Sequence, residues 1–215
     1  MKQVDKLLAE KLLNISAIKL QPENPFVWAS GWNSPIYTDN RKTLSYHEIR
    51  SFIKIEISRI ILENFKDVEV IAGVATGAIA QGALVADSLA LPYVYVRSTP
   101  KDHGLENLIE GNIKAGQKVV VIEDLVSTGG SSLKAVEAIR KAGGIVVGMV
   151  AIFTYEFPVA VKQFKEANVE LKTLSNYNTM LEVALDTNYI KEADIETLKE
   201  WRKDPANWAP DSDLK

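Results

Sequence analysis

Apolar positions follow two different rhythms along this chain. Up to about residue 66 they recur at helical spacing. Val4, Leu7, Leu8 and Leu12 mark a first amphipathic helix, and Ile49, Phe52, Ile53, Ile57, Ile60 and Ile61 a long second one with Ser45 as its expected cap. Between them lies "QPENPFVWASGWNSPIYTDNRKT", rich in Pro, Asn and Ser but carrying Phe26, Trp28, Trp32 and Tyr37. So many aromatics predict a segment that packs against something. From Val68 onward short apolar runs alternate with helical patterns. "VEVIAGV", "PYVYV", "QKVVVIED" and "IVVGMVAIFTY" read as strands, with a short fifth near "VELKTL". "AIAQGALVADSLA", "SSLKAVEAIRKAGG" and "PVAVKQFKEAN" read as the helices between them, and "EADIETLKEWRKDPANWAP" as a capped helix with a Pro-rich end.

Apolar strands alternating with helices predict an α/β fold, a central mostly parallel sheet flanked by helices and joined by right-handed crossovers. A small amino-terminal hood over residues 1–66 is expected to precede an α/β core over 67–215, the two forming one compact domain. In such sheets ligands bind beyond the carboxyl ends of the strands. The chemically loaded residues fall there: Ala75 to Ala78, Arg97 to Gly104 and Glu123 to Ser131.

Composition narrows the partners. The chain has 215 residues, 47% of them apolar, and a net charge of −3, where a nucleic-acid surface would call for a basic balance. Without cysteine there is neither a disulfide nor a thiolate metal site. The amino terminus mixes acids with its leucines, unlike a secretory signal, and "VIAGVATGAIAQGALVA" is too short and too interrupted to span a bilayer. A cytoplasmic protein with no nucleic-acid or membrane partner is expected.

The densest chemistry is in "VVVIEDLVSTGGSS". Glu123 and Asp124 follow a strand of four aliphatic residues. They could bind magnesium beside a phosphate loop, but the chain has no Gly-x-x-x-x-Gly-Lys-Ser/Thr loop, nor a Gly-x-Gly-x-x-Gly fingerprint. They could instead accept hydrogen bonds from the hydroxyls of a ribose, or simply cap the next helix as a solvated turn. Thr128, Gly129, Gly130 and Ser131 precede a helix expected to begin near Ser132, so unpaired backbone N–H groups and the positive helix end converge on one anion site. Acids and an anion cradle a few residues apart match the two ends of a ribose-5-phosphate. In "VRSTPKDHGLENLIEG", Arg97, Lys101 and His103 share a loop of low apolar content, expected to move and suited to neutralising a pyrophosphate.

"VVVIEDLVSTGGSS" resembles the phosphoribosyl diphosphate (PRPP) signature of type I phosphoribosyltransferases. Arg97, then Lys101, His103 and Gly104, then Asn107 and Ile109 to Gly111, resemble the catalytic loop of the orotate phosphoribosyltransferases. "SGWNSPIYTDNR" is similar to that family's base-binding segment, here about residues 25–41. The resemblance implies a type I phosphoribosyltransferase fold and magnesium-dependent transfer of ribose-5-phosphate from PRPP to N1 of orotate, a step of de novo UMP synthesis. It implies PRPP contacts from Arg97, Lys101, His103, Glu123, Asp124, Leu125, Val126, Ser127, Thr128, Gly129, Gly130 and Ser131, with Lys101, His103 and Asp124 catalytic. Orotate would meet Ser127, Tyr37 and Arg41; Mg2+ would be held mainly by PRPP and water. His103 either protonates the departing pyrophosphate or only hydrogen-bonds to it.

A homodimer with shared active sites is also implied. Departures from the family's best-studied branch are Ser98 and Ala29 where it has lysines, Thr76-Gly77 where it has Tyr-Lys, and Tyr155 where it has an orotate-binding arginine. The alternatives are a phosphoribosyltransferase for another base, against which the Lys-x-His-Gly loop speaks, and a PRPP-sensing regulator, for which the acidic chain lacks a basic region.

Overall fold

The computed structural model describes residues 2–28, 31–99 and 108–209. Its elements run α1 (Lys2–Asn14), β1 (Ile18–Leu20), β2 (Phe26–Val27), β3 (Asn33–Ser34), β4 (Ile36–Thr38), a 3-10 turn (Asn40–Ser45) and α2 (His47–Asn64). Then come β5 (Val70–Val74), α3 (Ile79–Leu89), β6 (Tyr93–Val96), β7 (Ile109–Glu110), β8 (Lys118–Val126), α4 (Gly130–Lys141), β9 (Ile145–Thr154), α5 (Pro158–Glu166), β10 (Leu171–Asn176), α6 (Tyr177–Asp186) and α7 (Asp194–Lys203). By packing the chain divides into two compact units, Met1–Lys42 with Ser175–Lys215, and Thr43–Leu174.

The larger unit is built on a sheet of order β10-β9-β8-β5-β6-β7. The pairs β5–β6, β5–β8 and β8–β9 are parallel, as strands apolar on both faces require. Val70, Ala72, Val119, Val121, Met149 and Ala151 belong to one continuous core beneath Val136 and Ile139 of α4 and Phe164 of α5. Strand β7 runs antiparallel to β6, Val96 facing Ile109 and Tyr95 facing Glu110. This short strand was not anticipated; buried Ile109 pairs with Val96 at the sheet edge.

The smaller unit contains two short antiparallel pairs, β1 with β4 and β2 with β3. Trp28 sets its ring edge against Trp201 at 5.6 Å and donates from Nε1 to the Ile36 carbonyl, so it packs as expected of an apolar segment. Helix α6 was not anticipated. It starts where the Asn176 side chain accepts from the Thr179 N–H, and buries Tyr177, Met180, Leu181 and Ala184 at helical spacing.

Two expected caps are absent. Ser45 belongs to the 3-10 turn, and α2 begins after Tyr46 without a side-chain cap bond. Helix α7 likewise starts at Ala193 with none, although Asp194 accepts from the Lys191 N–H just outside it. In both places tertiary packing of the apolar face holds the helix, which lessens the need for a capping side chain.

The join from β5 to α3 sets the first site loop, and it depends on a close approach at Gly73. A Cβ there would lie 2.8 Å from the Ala78 carbonyl oxygen and against the Tyr93 hydroxyl, which itself donates to the Ile79 carbonyl. Gly73→Ala is therefore expected to cost about 1–3 kcal/mol by overpacking, read as a lower midpoint in urea unfolding with an unchanged slope.

Candidate active site

Strand order reverses between β5 and β8. From β5 the chain crosses to β6 on one side, and from β8 to β9 on the other, which makes the β5–β8 boundary the switch point of the sheet. The last pair between these strands is Gly73 with Ile122, whereas β8 continues beside β9 as far as Val126 and Thr154. Glu123 and Asp124 thus lie within a strand, not after it, but on the part of β8 that has outrun β5. Loop 75–78 closes over this overhang. A Cβ on Gly77 would collide with the Asp124 carboxylate, so only a bare backbone fits against it.

Side chains alternate along a strand, and the two acids accordingly differ. Glu123 is 4% exposed; Asp124 is half-buried. Both oxygens of Glu123 are engaged. Oε2 accepts from the Ser132 hydroxyl at 2.8 Å, and Oε1 accepts from the Asp124 N–H at 3.0 Å. Burial pushes the Glu123 carboxyl well above the ordinary carboxylate range; the Asp124 carboxylate adds to this, and the Ser132 bond opposes it.

Helix α4 starts two residues earlier than expected, at Gly130. Gly129, at φ +88°, precedes α4, and the first helical bond runs from the Leu133 N–H to the Gly129 carbonyl. Gly130, Ser131 and Ser132 are then the opening helical residues, whose N–H groups have no acceptor within the helix. Gly129 is also tight against the Phe164 ring, 3.1 Å from a Cβ placed there, so α5 backs the turn. The end of β8 is anchored at Val126, whose carbonyl accepts from the Thr154 hydroxyl and the Tyr155 N–H.

A cleft of about 510 Å³ opens beside this turn, lined among others by Ala75, Arg97, Ser98, Gly130, Ser131 and Lys134. Arg97 stands at its rim, its N–H bonded to the Leu108 carbonyl and its guanidinium 3.5 Å from Glu110. Lys134, with no ion pair to any described residue, faces the same cleft. Sequence reasoning missed it, because a lysine on a helix reads as solvent-facing until the helix is placed. It also missed Ser132, whose partner lies nine residues back and across an element. Lys101 and His103 lie outside the described residues.

The expected orotate contacts divide between the two units. Ser127 follows β8 in the larger one. Tyr37 and Arg41 belong to the smaller one, where Tyr37 is partly exposed beside Phe26, ring centroids 5.6 Å apart. Arg41 pairs with Asp39 through Nε at 2.7 Å, and this holds the Asp39 carboxyl below its usual range. Tyr155, where the resemblance led to the expectation of an arginine, is 1% exposed between Phe153 and Phe157. That position supplies packing, not charge.

Asp124, the less buried of the two acids, is the side chain here that could support a magnesium ion carried by phosphate oxygens. One carboxylate with phosphate oxygens and water is a usual arrangement for this ion.

The family model described as the phosphoribosyl transferase domain matches residues 42–183, which defines the class. An orotate phosphoribosyltransferase of Bacteroides fragilis is 70% identical over 208 residues, 97% of this chain and 98% of the relative. One of Porphyromonas gingivalis is 64% identical over 97% of this chain and 99% of its own length. Among solved structures, orotate phosphoribosyltransferase of Aeropyrum pernix superposes with a TM-score of 0.73 at 27% identity, covering 86% of this chain and 99% of that one. The chain belongs to the orotate phosphoribosyltransferase family.

Two outcomes follow from the acid pair. The folded protein favours protonated Glu123, so the associated stability is complete below the ordinary carboxyl value of 4.5 and lost as pH rises through the raised folded-state value. Glu123→Gln should remove that component, leaving a thermal midpoint that falls less than the wild type's between about pH 5 and pH 8. Gly77→Ala should displace Asp124 at little cost in stability while lowering kcat/KM for PRPP on the order of 10- to 100-fold.

Proposed function

We propose that this protein transfers ribose-5-phosphate from PRPP to N1 of orotate, releasing pyrophosphate and forming orotidine 5′-monophosphate for UMP synthesis. The observation that carries the reading is the acid pair and anion cradle at the sheet's switch point, in a chain 70% identical to an enzyme named for orotate.

In this reading the 5-phosphate lies against the N–H groups and hydroxyls of Thr128 to Ser131, where the helix end favours a dianion. Asp124 takes the ribose hydroxyls, and its charge favours the cationic character that develops at the anomeric carbon as the C1–O bond to pyrophosphate lengthens. Glu123 lies behind it and would reach the sugar only by giving up Ser132. Arg97, Lys101 and His103 neutralise the departing pyrophosphate, with Lys134 a further cation on the same cleft. Mg2+, when bound, would supply charge neutralisation on pyrophosphate, with Asp124 the side chain placed to support it. Nitrogen attack needs no covalent enzyme intermediate, so no nucleophilic serine is assigned.

Ser127 and Tyr37 are proposed for the orotate ring and Arg41 for its carboxylate, which would then share Arg41 with Asp39. The protein is further proposed to act in the cytoplasm as a homodimer with shared sites. In support, no helix among the described residues is long and apolar enough to cross a membrane.

The test follows loss of orotate absorbance on adding PRPP and Mg2+, beside adenine, guanine, hypoxanthine and uracil. Consumption of orotate alone is expected; turnover of a purine without orotate would overturn the assignment. Lys101→Ala should retain PRPP binding in calorimetry but lower kcat about 100-fold or more, as loss of a donor to developing charge does. Unchanged turnover would remove Lys101 from the mechanism.

A further inference from the structure

Ser132 is 1% exposed, the third residue of α4, and its hydroxyl points back at a strand residue nine positions earlier. A buried serine hydroxyl is satisfied by any nearby carbonyl, and within a helix by the one four residues back. This one instead donates to a carboxyl that is itself almost fully enclosed, at 2.8 Å. The other oxygen of that carboxyl accepts the N–H of Asp124. Ser132, Glu123 and the Asp124 backbone thus form a closed link from the first turn of α4 to the overhanging part of β8. Its two ends are the groups that the proposed function assigns to the two ends of one substrate, the cradle to the phosphate and Asp124 to the ribose.

We propose that Ser132 is a positioning residue for PRPP: through Glu123 it fixes the spacing between the phosphate cradle and Asp124, so that ribose-5-phosphate is held at both ends at once. The inference rests on the PRPP reading of the site. It gives Glu123 a task suited to its burial, and it explains why a small hydroxyl residue occupies a place where the core face of the helix would otherwise take an apolar one. Leu133, next in the helix, is only partly buried, and Ala135, Val136 and Ile139 complete the apolar face below. Ser132 therefore interrupts a packed surface where it meets an acid.

A link of this kind is distinguishable from simple packing. Losing a hydrogen bond to a buried acid should raise KM for PRPP about tenfold in Ser132→Ala. The KM for orotate should stay near that of the wild type, the thermal midpoint should fall as the buried acid loses a donor, and Ser132→Thr should recover most of both losses. The decisive measurement is a double-mutant cycle with Glu123→Ala, reading PRPP affinity by calorimetry beside the kinetics. Ser132→Ala is expected to add nothing in the Glu123→Ala background. Additive effects, or a Ser132→Ala variant with lowered midpoint and unchanged PRPP affinity, would overturn the link. A wild type that binds PRPP but leaves orotate untouched would overturn the orotate reading, while the calorimetric cycle would still decide the role of Ser132.

Discussion

Everything at this site depends on β8 extending past its neighbour β5. A strand paired on both sides has no room for a carboxylate, since both faces of the sheet are covered and each buried charge must be compensated. Beyond Ile122 the β5 side of β8 is open, and the chain there changes character from four aliphatic residues to two acids. The reversal of strand order produces the opening, and the loop after β5, bare at Gly77, fits into it. An acid pair, a glycine turn and a helix end are thereby brought to one point by the connectivity of the sheet.

The electrostatics follow from that placement. Two neighbouring acids at a half-enclosed strand end would repel strongly if both were charged and equally exposed. The structure separates them by environment. Glu123 is enclosed, bonded on both oxygens and pushed toward its neutral form, while Asp124 remains at the crevice. One acid is enclosed within the fold and the other is half-buried at its edge. Two cations, Arg97 after β6 and Lys134 on α4, line the cleft beside the Gly130–Ser131 turn. In a chain of net charge −3 this concentration of cations is local, which suits a small polyanionic substrate and not an extended one.

Much of this was legible in the residues. The apolar runs at Val70, Val119 and Ile145 mark the parallel strands because burial on both faces permits little else, and the glycines of the Thr128 to Ser131 stretch mark the turn into α4. What stayed hidden depends on three-dimensional placement. The β7 strand is two residues long and has no periodicity of its own; it exists because Ile109 finds Val96. Helices α2 and α7 start without the side-chain caps that local signals suggest. Glu123 and Asp124 look equivalent as neighbours in sequence, and only the pleat and the position of Ser132 make them different. Arg41 reads in sequence either as an orotate contact or as a surface salt-bridge residue, and its pair with Asp39 is of the second kind.

The central claim is that one ribose-5-phosphate spans the overhang of β8 and the first turn of α4. It is tested most directly by a crystal structure of the protein with PRPP and Mg2+. The account predicts phosphate oxygens within hydrogen-bond distance of the N–H groups between Thr128 and Ser132, and ribose hydroxyls on the Asp124 carboxylate. A 5-phosphate bound elsewhere in the cleft, with Asp124 facing solvent, would contradict it.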